Sequence, residues 1–154
     1  MSIKFVHTNL IAKDWKRLSA FYQEVFECVP APPERDHSGE WLDRVTGLKA
    51  SHIRGIHLRL PGCGEAGPTL EIFSYNSMPE HPSVQPNTPG FSHVAFIVDD
   101  VGATAQEILN HGGSAIGELA IRDLPGVGLL TFQYLADPEG NIVEIQNWKK
   151  PDNR

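Results

Sequence analysis

The sequence predicts an α+β protein in which one plan, a strand, a helix and then further strands, is written twice. Three observations carry that expectation. Apolar, β-favouring runs give way to a three- and four-residue apolar period after Asp14 and again after Asp99-Asp100. A histidine stands seven residues before an aspartate at both changes, His7 before Asp14 and His93 before Asp100. Each predicted helix is followed by strand signals around a turn-rich segment, and each last strand holds one glutamate among apolar neighbours, Glu71 and Glu144.

In chain order, Phe5-Val6-His7-Thr8-Asn9-Leu10-Ile11-Ala12 reads as the first strand. Asp14 is a good N-cap, and Trp15, Leu18, Phe21, Tyr22, Val25 and Phe26 form the apolar stripe of a core-facing helix. Residues 30–52 read as irregular, with Ser38–Asp43 able to form a helical lid or rim around Trp41. Two strands, 55–60 and 69–75, flank the turn-rich stretch 61–68 and predict an antiparallel hairpin. Segment 76–90, with Pro79, Pro82, Pro86 and Pro89, reads as a linker. The second copy opens with Phe91–Val98, 86 residues after the first. Val101, Ala105, Ile108 and Leu109 repeat the helical stripe, and Gly112-Gly113 supply a stop. A second hairpin, 130–135 and 142–146, closes on Asp137-Pro138-Glu139-Gly140-Asn141. The expected organisation is one domain over 1–154, with module 1 at 3–75, a linker at 76–90 and module 2 at 91–148.

Size and composition bound the function. A chain of 154 residues, 40% hydrophobic and 21% charged, is neither a disordered protein nor a coiled coil. Thirteen Lys and Arg against nineteen Asp and Glu leave a net charge of −6, which repels phosphate backbones and anionic membranes. No nucleic-acid or membrane partner is expected. No apolar run approaches the ~20 residues of a membrane span, and the first residues lack a signal-peptide core, so a cytoplasmic location is expected. Cys28 and Cys63 lack a CxxC pattern and are expected to be reduced.

The chemistry rests on His7, Glu71, His93 and Glu144. An ionised glutamate in a half-buried strand is costly without a counter-charge, and finding one at the matching place in each copy asks for a common cation. Two imidazoles and two carboxylates form a mixed N/O set suited to a divalent first-row ion with water positions left over. Strand alternation puts His7 with Phe5 and Asn9, Glu71 with Phe73, and Glu144 with Gln146. Phe5, Asn9, Phe73, Phe132, Tyr134, Gln146 and Trp148 are the candidate walls of a substrate pocket. His57, also on a predicted strand, is the other histidine placed to line it, whereas His37, His81 and His111 sit in turn-like contexts. Arg44, Arg54, Arg59 and Arg122 are the cations considered for an anionic substrate.

The tandem plan, His7 with Asp14 and Phe21-Tyr22, the block Gly90-Phe91-Ser92-His93-Val94-Ala95-Phe96 with Asp99-Asp100, and 137–141 before Glu144 resemble the vicinal oxygen chelate superfamily. That group includes glyoxalase I, methylmalonyl-CoA epimerase, extradiol dioxygenases and the fosfomycin and bleomycin resistance proteins. The resemblance covers about residues 3–148. It implies paired βαβββ modules forming a cup-shaped, partly closed sheet, with the metal ligands at His7, Glu71, His93 and Glu144. The quartet is most similar to that of glyoxalase I, then to the epimerases; dioxygenases use two histidines and one carboxylate.

The implied activity is that of a metal-dependent lyase or isomerase, which removes a proton next to a carbonyl and passes through an enolate or enediolate. Glu144 is the first choice for the base, and Glu71 the second. One divalent ion per site is implied, Zn, Ni, Co or Mn rather than Fe. The partners implied are a small-molecule substrate and a second copy in a homodimer. Ile11 stands where glyoxalase I has a glutathione-contacting arginine, a departure from the lactoylglutathione lyase pattern. The alternatives are another metalloenzyme of the group, a dioxygenase or an epoxide-opening thiol transferase, and a non-catalytic binding protein.

Overall fold

A computed structural model describes residues 3–150. Its contacts divide the chain into two compact units, meeting between His81 and Pro82. Segment 76–90 contains neither helix nor strand. Among the described residues no helix is long and apolar enough to cross a membrane.

The first unit contains β1 (His7–Ile11), α1 (Trp15–Phe26), β2 (Val29–Ser38), α2 (Glu40–Thr46), β3 (His52–Arg59) and β4 (Thr69–Tyr75). Its sheet has the order β1-β4-β3-β2, with β1 parallel to β4 and the other pairs antiparallel. The helix forms where the apolar stripe predicts it. The Asp14 carboxylate accepts from the amides of Lys16 and Arg17, two donors the first turn cannot satisfy itself. The helix packs on β3 and β4, burying Leu18, Phe21, Tyr22 and Phe26 over a sheet face that includes Leu58, Leu70 and Ile72. Each such side chain contributes roughly 1.5–3 kcal/mol relative to exposure. That burial commits one face of the sheet to the helix and leaves the alternate residues, including His7, Asn9, His57 and Glu71, on the other.

The second unit contains β5 (His93–Ile97), α3 (Val101–Asn110), β6 (Ser114–Ala115), β7 (Ala120–Leu124), β8 (Gly128–Ala136) and β9 (Ile142–Lys149). The sheet runs β5-β9-β8-β6, β7 also pairing with β8, and β5 is parallel to β9 as β1 is to β4. Asp100 caps α3 through the Ala103 amide at 2.9 Å. Val101, Ala105 and Ile108 are buried on the helix side, and the core of this unit also holds Leu135, Val143 and Ile145. The 137–141 turn is built on buried Asp137, whose carboxylate accepts from the Glu139 and Asn141 amides and the Asn141 side chain, each at 2.9 Å. The architecture is therefore the expected α+β repeat, as two open sheets.

Three local expectations are corrected. Residues 30–52 are not irregular: they form β2 and α2. The strand went unread because Pro30, Pro32 and Pro33 lie in it, and proline is tolerated there because β2 is a sheet edge. It places His37 in a strand rather than a turn. β6 and β7 were not expected either, being short and almost wholly exposed, without the alternation that marks a half-buried strand. The first strand begins at His7 rather than Phe5, although the Thr69 amide still reaches the Val6 carbonyl at 3.0 Å. Both cysteines are free, Cys28 buried and Cys63 exposed.

Candidate metal centre

In the first unit the register lays the residues out as rows across the face opposite α1. Ala31, His57, Glu71 and Asn9 form one row; Arg35, Gly55, Phe73 and Ile11 the next. On the other side stand Val29, Arg59, Thr69 and His7. Glu71 is the centre of this pattern. Its carboxylate meets His57 Nε2 at 2.7 Å on one oxygen, and His7 Nε2 at 3.5 Å and Asn9 Nδ2 at 2.9 Å on the other. Burial leaves the Glu71 side chain only 13% exposed, so these polar partners replace most of its water. His57 Nδ1 contacts the Thr69 hydroxyl at 3.1 Å, which orients the ring with Nε2 toward Glu71. The imidazole of His57 titrates below its ordinary value, chiefly because burial disfavours its charged form; the carboxylate of Glu71 opposes that shift, while Arg35 and His7 add to it. A neutral imidazole is the form that binds metal.

His7, His57 and Glu71 each offer a ligand atom within 4.8 Å of the others. Two nitrogens and a carboxylate oxygen converging in this way fit a divalent ion with coordination positions left for water or substrate. The fit rests on chemistry the residues already show: each imidazole turns a nitrogen to the Glu71 carboxylate, so the three side chains would hold a divalent ion.

The second unit repeats half of this arrangement. His93 Nε2 lies 3.1 Å from Glu144, whose side chain is 14% exposed. Tyr134 faces Glu144 across the β8–β9 pair, the position His57 takes opposite Glu71. The Tyr134 hydroxyl hydrogen-bonds to Glu144, and its pKa is raised by burial and by that carboxylate, so it stays protonated and donates. Its ring also packs at 5.1 Å from that of His93. Ala95 occupies the place of Asn9, so Glu144 has no amide partner there.

The candidate pocket residues fall as follows. Asn9 holds Glu71. Phe73 shares that face but is buried against Leu42 of α2 and Ile53, its ring edge turned to His57 at 6.1 Å. One end of the face is thus covered by α2, the helix expected around Trp41. Phe5 lies before β1 and is 65% exposed. Phe132, Tyr134, Gln146 and Trp148 alternate onto the Glu144 face; Phe132 packs edge-on against Tyr134 at 5.9 Å, and Trp148 Nε1 donates to Gln146 at 2.6 Å. His57 enters the centre as a donor rather than only as a wall, a role its position on a strand signalled but the repeat did not, since its counterpart is a tyrosine. Arg44 and Arg54 are paired with Glu40 and Asp36. Arg35, inside the proline-rich strand, carries no signal in the sequence that sets it on this face.

Comparisons with known proteins agree with this fold. A glyoxalase family protein from Bacillus cereus superposes with a TM-score of 0.80 at 17% identity, over 96% of this chain and 95% of its own. A glyoxalase I mutant from Zea mays gives 0.63 at 18%, over 92% of this chain and 45% of that one. A mutant of the fosfomycin resistance protein FosX from Listeria monocytogenes, solved with Mn(II) and a dihydroxypropylphosphonic acid, gives 0.56 at 17%, over 97% and 95%. At these identities the likeness is one of fold. A Mycobacterium bovis protein, CFP32, named provisionally as a glyoxylase, is 43% identical over 60 residues, 39% of this chain. The match spans only 22% of the length of that relative. The sequence profile of one family matches residues 4–145, nearly the whole described chain, and by that match the chain belongs to the Glyoxalase/Bleomycin resistance protein/Dioxygenase superfamily.

Proposed function

We propose that this protein is a divalent-metal-dependent lyase or isomerase of glyoxalase or epimerase type, acting on a small α-hydroxy or α-oxo carbonyl compound. The observation that supports this most directly is the same imidazole–carboxylate pair at the same strand positions in both units, His7 with Glu71 and His93 with Glu144. These four are the proposed ligands, for Zn, Ni, Co or Mn, with His57 positioning Glu71. A bound ion supplies Lewis-acid polarisation of the substrate carbonyl.

The protein's own residues then divide the work. Glu144 removes the proton from the carbon next to the carbonyl and returns it, a contribution of roughly 10²–10⁴-fold. Its assignment as base is supported by its fewer polar partners, His93 and Tyr134, against His57, His7 and Asn9 on Glu71. The hydrogen bond from Tyr134 orients Glu144. In an epimerase Glu71 is the group that serves the opposite face of the carbon. The reading takes the chain as a cytoplasmic homodimer, and light scattering at twice the protomer mass is the expected result.

The test is elemental analysis of protein purified without chelator, followed by proton exchange in D₂O. About one Zn, Ni, Co or Mn per chain is expected. Hemithioacetals of 2-oxoaldehydes and chiral acyl thioesters are then screened for deuterium entering beside the carbonyl. Absence of metal after reconstitution overturns the reading, and iron with oxygen uptake redirects it to the dioxygenases.

A further inference from the structure

The face that carries His7, His57 and Glu71 also carries an arginine with no acidic partner among the described residues. β2 and β3 slip register between Ala31 and Arg35: Ala31 faces His57, and Arg35 faces Gly55. Four residues of β2 thus span two of β3. The two extra residues preserve the alternation, so Arg35 emerges on the same face as His57, one row from it. Bulges of this kind re-aim side chains and gather next to active sites. Beside Arg35 in its row stands Gly55, which has no side chain to separate the guanidinium from Phe73. Arg35 is half-buried and hydrogen-bonds to the Pro33 carbonyl, and it makes no ion pair among the described residues. The glutamate of this face is already engaged by two histidines and an amide, so among the described residues the cation of Arg35 has no anion to answer it.

We infer that Arg35 reads an anionic group, a carboxylate or a phosphate, carried by the substrate a few bonds from its carbonyl. This rests on the metal-dependent reading and narrows its substrate to anionic carbonyl compounds. Guanidinium pairs with either group through two parallel hydrogen bonds, and a charged hydrogen bond is worth roughly tenfold to a hundredfold in affinity.

The experiment is calorimetry on the full Zn-loaded chain with three hydroxamic acids of matched length: butyrohydroxamic acid, succinic monohydroxamic acid and 3-phosphonopropionohydroxamic acid. At least one anionic tail is expected to bind about tenfold or more tighter than the neutral one, and which of them does so separates carboxylate from phosphate. Arg35→Gln is expected to erase the difference and leave butyrohydroxamate within about twofold; Arg35→Lys, which keeps the charge, retains part of it. Equal affinities in the unaltered protein overturn the proposal while the metal reading stands. So does discrimination that survives in Arg35→Gln, or that is lost instead in Arg59→Gln, the other arginine of this face. Failure of all three probes to bind Zn-loaded protein overturns the metal reading and this proposal together.

Discussion

At the scale of single residues, His57 is the side chain on which the geometry of the first unit turns. It holds Glu71 by one nitrogen and Thr69 by the other, so removing it leaves one oxygen of the carboxylate without its partner. His57→Ala is expected to lower metal affinity by roughly 10–100-fold, the usual cost of losing a group that orients or supplements a ligand. Competition with a fluorescent zinc indicator measures this, and unchanged affinity contradicts the role. The cysteines give a second expectation. Burial pushes the Cys28 thiol up to about 12, so almost none of it is thiolate near pH 8, whereas Cys63 is exposed. Mass spectrometry after brief alkylation of native protein is expected to find Cys63 modified and Cys28 not; equal labelling contradicts the placement. His7, Glu71, His93 and Glu144 were legible in the sequence because they recur. His57 and Arg35 do not recur, so pattern alone could not raise them above other strand residues.

At the scale of elements, the β3–β4 pair and the entry to β3 are tightly constrained. A Cβ on Gly55 would overlap the Ile72 carbonyl oxygen and the Phe73 ring, so a strand glycine here answers a close approach of backbone. Gly55→Ala is expected to destabilise by about 1–3 kcal/mol, as overpacking does, read from urea denaturation. Asp43, in the middle of α2, accepts from the Ser51 hydroxyl and from the amides of Ser51 and Ala50 in the turn into β3, each at 2.7–2.8 Å. These bonds, the Ser51 hydroxyl first, hold its carboxyl below the ordinary value. The folded state therefore binds this proton more weakly than the unfolded chain. The resulting stabilisation is complete above about pH 4 and is lost as pH falls through the lower folded value. Asp43→Asn is expected to flatten that part of the acid limb in melting temperature against pH. A variant curve parallel to the parent between about pH 2 and pH 5 contradicts it. The same segment shows what limits a reading by period: α2 has seven residues, so only a short helix around Trp41 is expected from the sequence, and β2 has prolines where alternation would be.

At the scale of the whole molecule, metal and stability are linked. An ion that binds the folded chain and not the unfolded one adds about 2.7 kcal/mol at a hundredfold excess over its dissociation constant. Titrating Zn, Ni, Co or Mn into chelator-treated protein is expected to raise the melting temperature with concentration, and EDTA to reverse the rise. His93→Ala is expected to lose metal and turnover while retaining the secondary structure seen by circular dichroism. Full metal content in that variant contradicts the assignment of His93. Melting unmoved by any of the four metals argues against a metal site of this kind.

What the sequence determined by itself is everything carried by local period. The helices 15–26 and 101–110 and the hairpins around 61–68 and 137–141 each leave a signal within a short stretch, because burial of one face imposes a repeat of 3.6 or 2; the two histidine–glutamate pairs show instead through their recurrence in the second copy. Only the tertiary structure decided what lies beside what. The parallel pairing of β1 with β4 sets Asn9 against Glu71 across 62 residues, and the β3–β4 register sets His57 against the same carboxylate. The bulge in β2 turns Arg35 onto that face. Edge strands bury too little to enforce alternation, and long-range register is fixed by packing between strands, which no short stretch of sequence records.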